Sequence, residues 1–191
     1  MFCELETDSV AIERIREYDE LPQESDWDTD STESFPEGWP ASGRLEIDQV
    51  SAKYRPNLPE AVKELNMILK TGEKIGICGR TGAGKSTLAS VILRIIEPTK
   101  GAIRLDGVDT RVIGLQELRS NITIVPQDSV LFSGTVRFNL DPWNRKSEEE
   151  LGDTLSKLEL SLQLDTVITE GGSNLSMGEK QLLCLGRAIL R

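Results

Sequence analysis

The chain contains no histidine, so no imidazole is available to relay a proton or bind a metal near neutral pH. Its three cysteines, Cys3, Cys78 and Cys184, are an odd number without metal-ligand spacing. This argues against a disulfide framework or a zinc cluster and for free thiols in a reducing compartment. Cys78 and Cys184 lie in apolar runs and are expected to be buried. Aromatic residues are only 5%, and no apolar run approaches the length of a membrane span. No signal peptide is expected. Basic residues are almost missing from the first 43 positions, where Arg14 and Arg16 face thirteen Asp or Glu. The remaining 148 residues carry 19 acids and 20 bases, so the net charge of −10 belongs to the N-terminal segment. With no basic patch, a nucleic-acid-binding face is not expected.

What the chain does have is Gly79-Arg80-Thr81-Gly82-Ala83-Gly84-Lys85-Ser86-Thr87, which contains G-x-x-x-x-G-K-[ST]. A chance match to so short a pattern is on the order of one in a hundred for such a chain. The flanks sharpen it. Lys74 to Cys78 suits a buried strand, and Leu88 to Ile96 suits an apolar helix stopped by Pro98. The alternative is a turn that happens to carry a lysine. A Gly-rich turn entering a helix offers backbone N–H groups to a charged phosphate tail. Lys85 can reach terminal phosphates, and the Ser86 hydroxyl can bind Mg²⁺.

Along the chain, Leu5, Val10, Ile12, Ile15 and Tyr18 have helical spacing. From Leu21 to Gly43 the composition is that of a linker, which Trp27 and Trp39 are placed to pin to a surface. The sequence predicts strands at Arg44–Val50, continuing to Arg55, at Ala102–Leu105, closed by Asp106-Gly107, and at Ile122–Val125, ending at Pro126-Gln127. A hairpin is expected from Leu65–Leu69 through Thr71-Gly72 to Lys74–Cys78. Helices are expected at Leu115–Arg119, at Ser147–Leu158 with Ser147 as N-cap and Glu150 three residues on, and at Gly178–Leu190. No internal repeat is found.

Leu175-Ser176-Met177-Gly178-Glu179 precedes the last helix. It reads in two ways: as an N-terminus with amides free for an anion, or, more simply, as a capping box of Ser176 with Glu179. Together with the phosphate loop, this segment resembles the L-S-G-G-Q signature of ATP-binding-cassette (ABC) transporters, departing at Met177 and Glu179. Further stretches resemble the C subfamily, the multidrug-resistance-associated exporters, and their second nucleotide-binding domain. These are Glu13–Tyr18, Gly79–Ser86, Val125–Thr135 with Asn139-Leu140-Asp141-Pro142, and Leu182–Ala188. The resemblance covers essentially the whole chain.

The resemblance implies an α/β P-loop NTPase fold of three layers, with an antiparallel β subdomain and a helical subdomain, truncated at its C-terminus. Residues 1–20 would be the cytosolic end of a transmembrane helix, 21–43 an acidic linker and 44–191 a partial nucleotide-binding domain. It implies that Tyr54 stacks on adenine, that Gln127 ligates Mg²⁺ and lies near the transmembrane part, and that Ser176 and Gly178 contact the terminal phosphate held by a partner domain. Without the resemblance, Tyr54 reads as a strand residue and Gln127 as a turn residue. The implied ligands are ATP and Mg²⁺, with Ser86 and Gln127 on the metal. The implied partners are a second nucleotide-binding domain and transmembrane domains, and the implied location is the cytoplasmic face of a membrane.

The family's Mg²⁺-binding and catalytic carboxylates and its switch histidine follow the signature, and none of them is in this chain. Asp106, at the end of Ile103-Arg104-Leu105, precedes Gln127 and is in the wrong place for that role. No catalytic residue is therefore assigned. The chain is expected to be a fragment, to leave the strand before the phosphate loop without its neighbours, to fold poorly alone and to hydrolyse no ATP. The passage from Leu160 to Gly171 is shorter than the family's, which would weaken placement of the signature. The expected function is ATP-driven export by the full-length protein. The alternatives are a nucleotide sensor that gates a channel or partner without turnover, and a soluble ABC ATPase.

Overall fold

A computed structural model of the chain describes residues 2–21, 23–30, 35–36 and 38–191, with the side chains of 2–9 and 11 outside the description. The chain divides into two compact units, Met1–Asn121 and Ile122–Arg191.

The first unit begins with helix α1 (Phe2–Asp19). Its apolar Val10, Ile12, Ile15 and Tyr18 are exposed; Cys3 and Leu5 lie outside the described side chains. Four antiparallel strands follow, β1 (Leu45–Ala52), β2 (Val62–Leu69), β3 (Lys100–Leu105) and β4 (Val108–Asp109), in the order β2-β1-β3-β4. Leu45, Ile47 and Val50 of β1 and Ile103 and Leu105 of β3 are buried. Between β2 and β3 runs helix α2 (Lys85–Ile92), which buries Leu88 and Val91, and after β4 comes α3 (Leu115–Asn121).

Several sequence expectations are corrected in this unit, and β1 itself ends at Ala52 without continuing to Arg55. First, β2 pairs with β1, Leu69 opposite Leu45, and not with Lys74–Cys78. A local Thr71-Gly72 turn signal is overridden because β1 offers a longer apolar ladder. Second, Lys74–Cys78 is not a strand: among the described residues no strand lies beside it to take its N–H and C=O groups. Ile75 and Ile77 are 39% and 50% exposed, and Cys78 is exposed rather than buried. Third, α2 ends at Ile92, four residues before Ile96. Arg94 turns left-handed (φ 51°) and buries its guanidinium against the carbonyls of Thr110 and Ile113 and the Glu97 carboxylate.

The acidic linker is docked over two stretches. The N–H groups of Leu115 and Gln116, which open α3, donate to the carbonyls of Asp26 and Trp27. The Gly114 N–H donates to Thr29 Oγ1, and Arg119 reaches Glu24 at 2.8 Å. A Cβ on Gly114 would stand 2.3 Å from the Thr29 nitrogen, so the crossing requires glycine. Trp39 does pin the linker, donating from its indole to the Leu105 carbonyl, whereas the Trp27 ring is exposed and only its carbonyl docks. Asp106 accepts from the N–H groups of Ser42, Gly43 and Arg44 and from the Ser42 hydroxyl, so its carboxylate holds the entry to β1.

The second unit is built on a short pair of strands, β5 (Gly134–Thr135) and β6 (Val167–Ile168), and three helices, α4 (Val136–Leu140), α5 (Glu148–Lys157) and α6 (Met177–Ile189). Leu151 and Leu155 of α5, Leu183 and Cys184 of α6, and Val136 and Leu140 of α4 form one buried cluster with Leu131 and Ile168. Ser147 and Glu150 form the expected capping box on α5. The expected strand Ile122–Val125 does not form. As with Lys74–Cys78, no ladder neighbour exists among the described residues, and Ile124 and Val125 are about half exposed. The short passage after Leu160 is tied in: Val136 and Arg137 donate to the Thr166 and Leu164 carbonyls, and Leu162 and Leu164 pack on the cluster.

Candidate functional site

The phosphate loop lies in the first unit. Its final glycine, Gly84, is the N-cap of α2 with φ 83°, a left-handed conformation that L-residues enter at a cost. A Cβ there would also meet the Ala61 carbonyl oxygen at 2.5 Å, so sterics demand glycine twice. No side chain caps α2, leaving its first-turn amides to whatever acceptor the surroundings bring. The Lys85 ammonium turns back onto the loop and donates to the Gly79 and Arg80 carbonyls at 2.7 and 2.9 Å. Ala83 N–H donates to Arg80 O and closes the turn that carries Thr81 and Gly82. Ser86 is exposed on the first turn of α2.

Tyr54 is brought to the same place. Its hydroxyl and that of Thr87, one residue beyond Ser86, are 2.8 Å apart, while Tyr54 remains 58% exposed. Thr87 itself is buried. This tie joins positions 33 apart and has no local signature; only the resemblance pointed to Tyr54.

The other predicted positions lie in the second unit. Gln127 is exposed in a bend after Pro126. Ser176 is the N-cap of α6, and the capping box with Glu179 is complete in both directions. Glu179 Oε2 accepts from the Ser176 N–H at 2.8 Å and its hydroxyl at 2.7 Å. These bonds, the hydroxyl's foremost, hold the Glu179 carboxyl below its ordinary range. Gly178, in the first turn, has open space where a Cβ would stand. Arg187 and Asn139, which sequence reasoning did not single out as functional, clamp this unit's loop to α6. The guanidinium donates to Asn139 O, Asn139 Oδ1 and Val130 O, and its burial lowers its pKa.

A family model described as "ABC transporter" matches residues 62–191. The chain is 46% identical over 198 residues to "ATP-binding cassette sub-family C member 2" of Rattus norvegicus, covering 100% of this chain and 13% of that protein. It is also 46% identical over 198 residues to "ATP-binding cassette sub-family C member 3" of Homo sapiens, with the same coverage. "Bile pigment transporter 1" of Saccharomyces cerevisiae is 44% identical over 211 residues, covering 97% and 13%. Thus the chain spans 13% of the length of these curated relatives. Among solved structures, "Structure of a bacterial Atm1-family ABC exporter with ATP bound" superposes with a TM-score of 0.82 at 26% identity, covering 99% of this chain and 34% of that one. That likeness agrees with a mixed α/β ABC domain carrying an antiparallel sheet. The relatives matched along this chain's length are named for sub-family C or as a bile pigment transporter, and a family match over residues 62–191, more than half the chain, places it in the ABC transporter family.

Proposed function

We propose that this chain is the ATP-binding part of a membrane exporter, and that it works on the cytoplasmic face of the membrane as one of two nucleotide-binding domains. The carrying observation is the phosphate loop: Gly84 left-handed at the start of an uncapped helix, with the Lys85 ammonium 2.7 Å from the Gly79 carbonyl. In that position the ammonium already has acceptors to exchange for phosphate oxygens, so little reorganisation is needed on binding. The main-chain amides from Gly79 to Thr87, including those of Arg80, Thr81, Gly82 and Ala83, wrap the phosphates. Tyr54, exposed and anchored through Thr87, offers a ring face to the base, worth ~1–3 kcal/mol in comparable stacks.

Each of the two side chains has the chemistry Mg²⁺ takes: Ser86, in the first unit, carries a hard hydroxyl oxygen on the first turn of α2, and Gln127, in the second, an exposed amide oxygen. The ion's contribution is to neutralise phosphate charge. Ser176 and Gly178 serve the nucleotide held by the partner domain. Residues 1–20 continue a helix from the transmembrane domain, 21–43 link it to the domain, and 44–191 are the domain's partial body, assigned to the second of the two domains.

The test is calorimetry on the full-length parent. MgATP uptake is expected, with loss of on the order of a hundredfold in affinity for Lys85→Ala and about tenfold for Tyr54→Ala. Undiminished uptake by Lys85→Ala would remove the proposal.

A further inference from the structure

Asn139 and Arg187 have no part in the binding of nucleotide described so far, yet they are the most heavily bonded polar pair in the second unit. Asn139 is 1% exposed. Its Oδ1 accepts from the Phe132 N–H at 2.9 Å, and its Nδ2 donates to the Phe132 and Thr135 carbonyls. It thereby fixes the chain between 132 and 135 as a strand partner would. Arg187, near the C-terminal end of α6, grips the same place. Nε donates to Asn139 O at 2.5 Å, one terminal nitrogen to Asn139 Oδ1 at 2.7 Å and the other to Val130 O at 2.6 Å. The guanidinium carbon lies 5.7 Å from the centroid of the Phe132 ring.

Each of these acceptors is neutral, and no carboxylate pairs with Arg187 among the described residues. A half-buried charge held only by amide oxygens is a poor choice for stability, because an apolar side chain of similar length would avoid the desolvation. It is a good choice for geometry. The guanidinium is a flat fork with donors in fixed directions, and three acceptors on it define both the rotation of α6 about its axis and its height along it. The helix has thirteen residues and is about 20 Å long at ~1.5 Å per residue. A rotation permitted at Arg187 is therefore carried to Ser176 and Gly178 at the other end.

We propose that Arg187 is a positioning residue for the signature: its hold on Val130 and Asn139 sets the rotation of α6 and so aims Ser176 and the first-turn amides at the partner domain's nucleotide. This rests on the proposed role of Ser176 and Gly178.

The test uses the full-length parent and Arg187→Met, which keeps the stem's packing and removes the fork, with Arg187→Lys as a second variant that keeps the charge. Three quantities are measured: thermal midpoint, MgATP affinity, and turnover, together with hydrogen exchange at the amides of Met177 to Lys180. Both variants are expected to keep the midpoint within about 2 °C and the affinity within about twofold. Turnover is expected to fall by up to ~100-fold, the scale of a displacement near 1 Å, and exchange at the α6 start to rise. Parental turnover in Arg187→Met overturns the inference. So does a joint fall of midpoint and affinity in both variants, which would make Arg187 a fold residue only. Failure of the parent to bind MgATP, or normal uptake by Lys85→Ala, removes instead the reading beneath it and is told apart by those controls.

Discussion

Glu179 closes the first turn of α6 on itself, and its charge is what makes the cap strong. The carboxylate accepts two bonds from Ser176, while the Ser176 hydroxyl accepts the Glu179 N–H. Since these bonds favour the ionised form, the folded chain holds the group below its ordinary value of 4.5. The sign follows from linkage. A depressed carboxyl stabilises the fold fully above the unfolded value, and that contribution is lost as pH falls from about 4.5 through the lower native midpoint. Glu150 on α5, held below its ordinary value by the Ser147 N–H and then its hydroxyl, acts in the same direction. A carbon-detected titration of Glu179 is expected to give a midpoint below that of a free glutamate, moving up in Ser176→Ala. A midpoint indifferent to Ser176→Ala would show that the cap does not hold the charge.

At the scale of elements, the docking of residues 24–30 on α3 is made chiefly by main-chain groups. The Asp26 and Trp27 carbonyls take the amides that α3 would otherwise leave without acceptors. The Arg119–Glu24 pair adds little, since Glu24 is well exposed. Gly114 is the weak point of the arrangement: with a Cβ 2.3 Å from Thr29 N, Gly114→Ala must push the linker away. The expected cost is about 1–3 kcal/mol, with faster proteolytic cutting within 21–43 and faster exchange of the Leu115 and Gln116 amides. Unchanged cutting would mean that the linker does not depend on this crossing. This docking was hidden from sequence reasoning for a physical reason: carbonyl acceptors leave no mark on residue identity. Capping boxes do leave one, and both Ser147–Glu150 and Ser176–Glu179 were legible from their three-residue spacing. The strands before the phosphate loop and before Gln127 were misread because apolar runs indicate burial but cannot supply the neighbouring strand.

For the whole molecule, the division at Asn121 separates the predicted site residues into two groups. Tyr54 and the phosphate loop belong to one unit; Gln127, Ser176 and Gly178 belong to the other. The loop was legible because its fixed pattern marks it in the sequence, and at Gly84 the left-handed φ and the nearby Ala61 carbonyl show why the residue is glycine. The role expected of Gln127 rested on resemblance alone, for an exposed glutamine in a bend has no chemistry that marks it out. The one carboxylate that sequence reasoning weighed as a Mg²⁺ ligand, Asp106, is engaged by residues 42–44, and its pKa is strongly depressed by those bonds, the Ser42 hydroxyl's first. With no histidine in the chain either, the isolated 191 residues are expected to hydrolyse no ATP. Phosphate release by the purified chain above a Lys85→Ala control would contradict this.

The hydroxyl contact between Tyr54 and Thr87 has a consequence for selectivity. It fastens an aromatic plate to α2; under the proposed reading the first turn of that helix faces the phosphates, and the two ends of a bound nucleotide would be gauged against a single rigid rod. A flat plate senses area and polarisability but is blind to which edge atoms a purine carries. Under the proposed reading, then, this site measures span instead of spelling, and guanosine triphosphate should compete with its adenosine counterpart within about one order of magnitude.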